Sequence, residues 1–516
     1  MANKGLFASI VGRLMPATDA HNQEFAPAYA FGPRHHLAQL AVTGCLNHNF
    51  YTSADEQLAQ VLDLSGKVDA QFLAKLAVHA RERGGMKDMP ALLLARLTVT
   101  APDLAPRIFG RVVDNGRMLR NVVQILRSGS AGRKSLGTRP KRLVREWLEK
   151  ADIRTLLRTA TGTSPSLADI VRMVHPRPSS PEREAFYGWL IGKPYQEALL
   201  PEPVRAFEAW KRDRTLELPD VPFEWLTALP LTREDWALLA GRMGWQALRI
   251  NLNSLARHGA FTVPGAAEAV AARLGDARAV AGSGVQPFQI MMARSQLLPS
   301  VPETVREGLD RALDHSLRNV PALAGRVVVC PDVSGSMGTP LTGHRQGSTS
   351  QVRCIDVAAL IAAALMRTNP GTSVLPFDND VVAVDVLADL PVAENAKRLA
   401  AIGGGGTNCA APLARLNAER ARPDLVIMVS DNESWMQQRA RGTAMLAEWR
   451  KLTARHPAAK LVCLDLQPYG TAQAPDGADI LNIGGFTDAV FDSIARFAKG
   501  RGHPELWVAE IENMVI

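Results

Sequence analysis

The sequence predicts an α + α/β protein, a long array of short helices followed by a doubly wound α/β unit. Three observations predict it. Up to about Val320 the apolar residues recur at helical spacing, as Phe72, Leu73, Leu76, Ala77 and Ala80 do. After Pro321 β-branched runs alternate with helical stretches, the order of a mostly parallel sheet covered on both faces. Oxygen-bearing residues also collect where three of those runs end, and ligands of open α/β sheets bind beyond the carboxyl ends of the strands.

At 516 residues the chain is too long for one core. Residues 1–24 read as a loosely ordered segment or a first helix. They hold one early lysine and a short apolar stretch at 6–11, without the features of a secretion signal. Residues 25–322 are expected to be helical throughout. Ala91, Leu94 and Ala95 repeat the spacing, as do Val122, Val123 and Leu126, and Gly84-Gly85, Pro102, Gly129, Pro140, Pro165 and Pro176 punctuate the run. Helices cut into short antiparallel pairs suggest an α-solenoid, although no internal sequence period marks the repeats. The longest apolar run, at 357–366, is half the roughly 20 residues a membrane span needs.

Residues 323–516 form the α/β unit. Strands are expected at 326–330, 373–377, 381–384, 425–429 and 460–466, with helices at 355–367, 410–420, 439–455 and 488–498. Five cysteines (Cys45, Cys330, Cys354, Cys409, Cys463) are odd in number, scattered and free of any C-x-x-C spacing. Free thiols in a reducing cytosol are the expectation, so the chain is expected to be cytoplasmic.

The first strand end carries Asp332-Val333-Ser334-Gly335-Ser336. Alternate residues of an extended turn face one way, so a carboxylate and two hydroxyls converge while Gly335 permits the bend. A glycine run, 403–406, delivers Thr407, and the strand at 425–429 ends in Ser430-Asp431-Asn432-Glu433. Asp332, Ser334, Ser336, Thr407 and Asp431 make an all-oxygen set, the chemistry of Mg²⁺, with Mn²⁺ as the alternative, and not of zinc. In this order the five residues resemble the metal-ion-dependent adhesion site of von Willebrand factor A domains, a Rossmann-like fold. The resemblance implies a ligand carboxylate completing the metal's shell. No general base stands beside the site, so ligand binding and no enzymatic activity is expected. Ser334 and Ser336 lie outside any G-x-S-x-G elbow. The stretch 128–135 fails as a phosphate loop because Arg133 separates Gly132 from Lys134.

Charge is unevenly spread. The net +8 divides into +10 up to residue 324 and −2 beyond it. Between Arg107 and Arg158 stand 14 basic residues, mostly arginine, against 4 acidic ones. Such a density favours a polyanion partner over a solvated helical face.

A helical half with an arginine-rich window, joined to a C-terminal A domain, is similar to the Ro (TROVE) ribonucleoprotein family. Asp169-x-x-Arg172-x-x-His175-Pro176 resembles that family's RNA-contacting helix, and 132–147 resembles the basic segment before it. Leu248-Arg249-Ile250-Asn251-Leu252, Gln286-Pro287-Phe288 and 354–365 resemble further family elements, and the divergence suggests a bacterial member. The resemblance implies HEAT-like helical repeats closed into a ring by the A domain. It also implies a monomer that binds noncoding RNA: Y-like RNA on the outer face, and single-stranded 3′ ends of misfolded RNA in a central hole. An exoribonuclease or RNA-repair enzyme is the implied protein partner, without a membrane. Arg120, Arg133, Lys134, Lys141, Arg142, Arg158, Arg172 and His175 are the candidate RNA contacts. The family's next basic position falls near Gly162, a departure. An A-domain adaptor for an AAA+ or chelatase-type motor is the competing reading, and it leaves the basic window unexplained. A surface adhesion protein fits the unpaired cysteines less well.

Overall fold

The computed structural model describes residues 15–44, 46–162, 164–285, 287–317, 320–343, 352–435, 442–500 and 506–516. Cys45, Gln286 and the beginning of the helix expected at 439–455 lie outside the described residues.

The helical half starts with α1 (Pro33–Thr43), α2 (Ala54–Lys67), α3 (Ala70–Glu82), α4 (Asp88–Thr100) and α5 (Ala105–Val112). It continues with α6 (Gly116–Ser128), α7 (Thr138–Lys150), α8 (Ile153–Thr159) and α9 (Leu167–Val174). Polar caps set many of the starts. Ser53 and Glu56 form a capping box on α2, Asp69 caps α3, Asn115 caps α6, Asp152 caps α8, and Ser166 with Asp169 box α9. Gly129 ends α6 in the left-handed region at φ +93°, which no branched side chain tolerates well. Helix α4 is buried on nearly every side and is the hub of this half: α3, α5 and α6 pack on it. Packing then passes from α6 to α8 and α9, and α7 joins α9.

In the α/β unit five parallel strands are ordered β4-β3-β5-β6-β8: β3 (Val327–Pro331), β4 (Ser373–Val374), β5 (Leu425–Ser430), β6 (Lys460–Asp465) and β8 (Ile480–Gly484). Alternate residues serve two cores. Val327, Val329, Ile427, Val429 and Val462 face the helix Cys354–Thr368, while Val328, Cys330, Met428, Leu461 and Cys463 face Leu413, Leu446 and Trp449. Both faces are therefore covered, as the near-continuous apolar runs require. The four described cysteines are buried and free.

Some expectations need correction. The run 381–384 is no strand; Val381 makes one isolated bridge to Phe377 and the chain turns back on itself there. The strand at 373–377 shortens to β4 with a bridge at Phe377. Nor is the start of the helical region helical. Strands β1 (Ala20–His21) and β2 (Pro27–Ala30) form a hairpin, and β2 pairs with β7 (Thr471–Ala472) of the α/β unit. Strand β8 and helices Val392–Ala400 and Leu506–Glu512 are additional elements.

Both ends of the helical array rest on the α/β unit. At the start, α1 packs on β8, and the helix Leu506–Glu512 packs on α3 and α1. At the far end, helix Pro287–Ser295 packs on Cys354–Thr368, and Phe288 meets Phe486 edge-on with ring centroids 5.6 Å apart. One apolar cluster runs through both halves. The helical array and the sheet thus form a closed circuit.

His79 lies on α3 at the edge of a cleft shared with Gly484, Trp507 and Glu510. Burial first, and the charge of Arg83 second, lower its pKa to about 4. The unfolded chain, near 6.5, takes up that proton first. Stability is therefore unaffected above pH 6.5 and lost as the pH falls from 6.5 toward 4, by on the order of 3 kcal/mol. Denaturant midpoints at pH 7.5 and 4.5 should show a smaller acid loss for His79→Gln than for the parent chain.

Candidate metal centre and basic face

Four candidate ligands, Asp332, Ser334, Ser336 and Asp431, come together where β3 and β5, the central strands, end, and the loop that carries Thr407 is laced to theirs. The first loop leaves β3 at Asp332, whose Oδ1 accepts from the Ser334 amide at 2.8 Å and whose Oδ2 accepts from Ser430 Oγ at 2.5 Å. Ser334 Oγ lies 3.2 Å from Ser336 Oγ, and Ser336 hydrogen-bonds toward Asp431. The second loop is laced to the first by backbone bonds, Gly335 N to Gly405 O at 3.1 Å and Gly404 N to Val333 O at 3.0 Å. Gly405 holds φ +73°, and a Cβ there would collide with Asp378, so only glycine closes this turn. The third loop joins the second: Trp435 N donates to Thr407 O at 3.0 Å and Ser434 Oγ to the same oxygen at 3.2 Å.

Asp332 is 0%, Asp431 3% and Thr407 5% exposed, so these donors are held out of bulk water. Burial first and the charge of Asp431 second push the Asp332 carboxyl up to about 7, and burial raises Asp431 as well. Two carboxylates and two hydroxyls at one dry spot, with Thr407 on the adjoining loop, suit a hard divalent cation, which would relieve this repulsion. The donor set has no nitrogen or sulfur, which fits neither zinc nor copper.

Two buried carboxylates nearby were not chosen from the sequence. Glu433 is fully buried; its Oε2 accepts from the Gln23 amide at 2.6 Å, and its Oε1 has no partner. Burial, then Asp431, pushes it up to about 8. Asp465, at the end of β6, is buried and raised well above the usual range, and accepts from Asn432 Nδ2. Glu433 stands in the stretch that supplies Asp431, but only the position of the β1–β2 hairpin reveals its environment.

The basic window divides evenly. Seven of its side chains have internal partners. Arg107 and Arg111 hold the carbonyls of Ile516 and Val515, and Arg111 also pairs with Glu82. Arg139 pairs with Asp103 and Arg142 lies 3.6 Å from Glu146. Arg145 donates to Val174 O, Arg133 to Thr98 Oγ1 and Arg120 to Thr159 O. The other seven, Arg117, Arg127, Lys134, Lys141, Lys150, Arg154 and Arg158, make no side-chain hydrogen bond or ion pair among the described residues, and all but Lys141 are exposed. Arg120 and Arg127 share a face of α6, Arg154 and Arg158 share a face of α8, and α6 packs on α8 and α9.

Among the candidate RNA contacts, Lys134, Arg142, Arg158, Arg172 and His175 are exposed, and Lys141, Arg133 and Arg120 are half-buried. Arg172 donates to Ile191 O at 3.0 Å. His175 caps α9 in the left-handed region at φ +50°, beside the Val174 carbonyl that Arg145 holds. The departure at Gly162 has a spatial counterpart: a Cβ at 162 would run into the Arg120 guanidinium. A cation from α6 thus fills the place of a side chain there. Arg249 and Phe288 have structural work. Arg249, lowered by burial to about 10, donates to Gln289 O at 2.9 Å, and Phe288 closes the seam with Phe486.

Comparison with known proteins bears on both halves. Residues 326–498 match the family model described as the Ro60 vWA domain. The RNA-binding protein RO60 of Deinococcus radiodurans is 25% identical over 515 residues, covering 92% of this chain and 94% of that protein. The RNA-binding protein RO60 of Caenorhabditis elegans is 21% identical over 240 residues, 44% of this chain and 36% of that protein. The crystal structure of the Deinococcus radiodurans RO (RSR) protein superposes with a TM-score of 0.61 at 21% identity, covering 91% of this chain and all of that one. The fold is the same, and the resemblance to the Ro family holds along the chain. Among the described residues no helix is long and apolar enough to cross a membrane.

Proposed function

We propose, with kinship to the RO60 proteins as the premise, that this chain binds RNA through the basic face of α6 to α9 and catalyses no reaction. The observation that carries this is the set of seven unpaired cations, six of them exposed, concentrated on one group of packed helices. Side chains with internal partners hold the fold together. Unpaired arginines on a helical surface are free to meet phosphates, and their forked donors suit them to it. A Y-like RNA is the proposed ligand of the outer face, near Arg172 and His175. The single-stranded 3′ end of a misfolded RNA is the proposed ligand of a central hole, and the closed circuit of helices and sheet supports that geometry. The chain then acts in RNA quality control in the cytoplasm as a monomeric scaffold, presenting its RNA to an exoribonuclease or a repair enzyme. Asp332, Ser334, Ser336, Thr407 and Asp431 are proposed to hold Mg²⁺, or Mn²⁺ in its place. The motor-adaptor reading gives the unpaired cations nothing to do.

Competition gel shifts at one salt concentration test the substrate form. A structured RNA with a free single-stranded 3′ tail should bind about tenfold more tightly than its blunt counterpart, since each stacked or threaded base adds roughly 1–3 kcal/mol. Charge alone favours the denser phosphates of the duplex. Equal affinities would leave a nonspecific polyanion binder and remove the hole from the proposal.

A further inference from the structure

The β1–β2 hairpin touches the metal centre, and the contact runs through one unsatisfied carboxylate. The turn of the hairpin is braced by its own side chain: Asn22 Oδ1 accepts from the amides of Glu24 and Ala26 at 3.1 and 2.9 Å. Asn22 Nδ2 reaches across to Ser434 O at 2.7 Å, and the next amide, Gln23 N, donates to Glu433 Oε2. Behind the turn, β2 pairs with β7, and Gln473, just past β7, donates from Nε2 to Asn432 O at 3.0 Å. Hairpin, β7 and third loop therefore form one hydrogen-bonded unit.

Glu433 Oε1 sits in this unit without solvent or donor. A buried carboxyl oxygen left without a partner is costly. Among the described residues no lysine or arginine pairs with Asp332, Asp431, Glu433 or Asp465. A cation bound beside the third loop would supply the missing partner.

We propose that Glu433 is a further member of the cation centre and couples it to the hairpin, so that a divalent cation clasps residues 20–30 onto the α/β unit. This rests on the metal reading of Asp332, Ser334, Ser336, Thr407 and Asp431. Among the described residues no three acidic, histidine or cysteine side chains converge at metal-ligand spacing, so Glu433 acts through a water on the cation and not as a direct ligand. Its two oxygens divide the work. Oε1 receives the polarised water, while Oε2 holds the Gln23 amide, and a fully charged Glu433 strengthens that bond.

The test uses the full chain, MgCl₂ as the probe, and two readouts: titration calorimetry, and hydrogen exchange over residues 20–30. Glu433→Gln keeps an acceptor for Gln23 N–H but removes the charge. It should weaken Mg²⁺ by roughly tenfold or more, as outer partners of metal sites do when lost. In the parent chain Mg²⁺ should slow exchange across the hairpin; in Glu433→Gln at saturating Mg²⁺ it should not. Unchanged Mg²⁺ affinity in the variant would overturn the inference and leave the metal site standing. Weaker affinity, with hairpin exchange indifferent to Mg²⁺ in the parent chain, would overturn the coupling. A parent chain that takes up no Mg²⁺ would overturn the metal reading itself.

Discussion

Replacing Arg117, Arg127, Arg154 and Arg158 together by alanine will flatten the salt dependence of single-stranded RNA binding while leaving the fold intact. All four are exposed, and among the described residues none donates to a protein group, so no internal bond seen there is lost with them. Surface changes of that kind usually move stability by a few tenths of a kcal/mol. Each phosphate contact on a single strand contributes about 0.7 to the slope of log K against log salt, so four lost contacts lower it by about 3. Between 50 and 200 mM salt the parent chain should then lose roughly fifty-fold more affinity than the variant. The comparison set is Arg107, Arg111 and Arg145, which lie in the same stretch of sequence but hold carbonyls of Ile516, Val515 and Val174. Changing those three should lower the thermal midpoint and leave the slope nearly unchanged. Filter binding across a salt series reads both sets, and indistinguishable slopes would mean that the basic window does not meet phosphate.

That contrast also marks how far the sequence could be read. The density of arginine between 107 and 158 is local information, and so is its sign. Which cations are used up inside the molecule depends on where Glu82, Val174 and the C-terminal residues arrive, and those contacts span up to about 400 positions. The first and third metal loops were legible because Asp332 and Asp431 follow strong β-branched runs, and strand ends are where open sheets place their sites; Thr407 was legible from the glycine run before it. The expected strand at 381–384 failed for the converse reason. Its residues have strand propensity but no neighbouring strand to pair with, and pairing is what makes a strand. Strand β2, reading Pro-Ala-Tyr-Ala, has little propensity and exists because β7 offers it an edge. Glu433 was in plain view beside Asp431, yet its burial is made by the hairpin, about 410 residues away.

Asp332→Asn will abolish Mg²⁺ binding and spare RNA binding. Asp332 is fixed from both sides, by the Ser334 amide and by Ser430 Oγ, and asparagine can keep one of these contacts while losing the charge. Without metal the variant should be no less stable than the parent chain, because the parent buries Asp332 against Asp431 with no cation between them. With metal the order reverses. Free Mg²⁺ at a hundred times its dissociation constant stabilises the parent by about 2.7 kcal/mol, and the variant gains nothing. The crossing of the two stabilities as Mg²⁺ is added is the diagnostic result, measured by chemical denaturation at fixed ionic strength so that screening is held constant. RNA affinity should be alike in both proteins, since the unpaired cations lie on α6 to α8 and the metal loops follow β3 and β5. A variant that still responds to Mg²⁺ would place the cation elsewhere. One that loses RNA binding while keeping its Mg²⁺-free stability would show that the metal centre takes part in holding RNA, and the division of labour between the two halves would have to be abandoned.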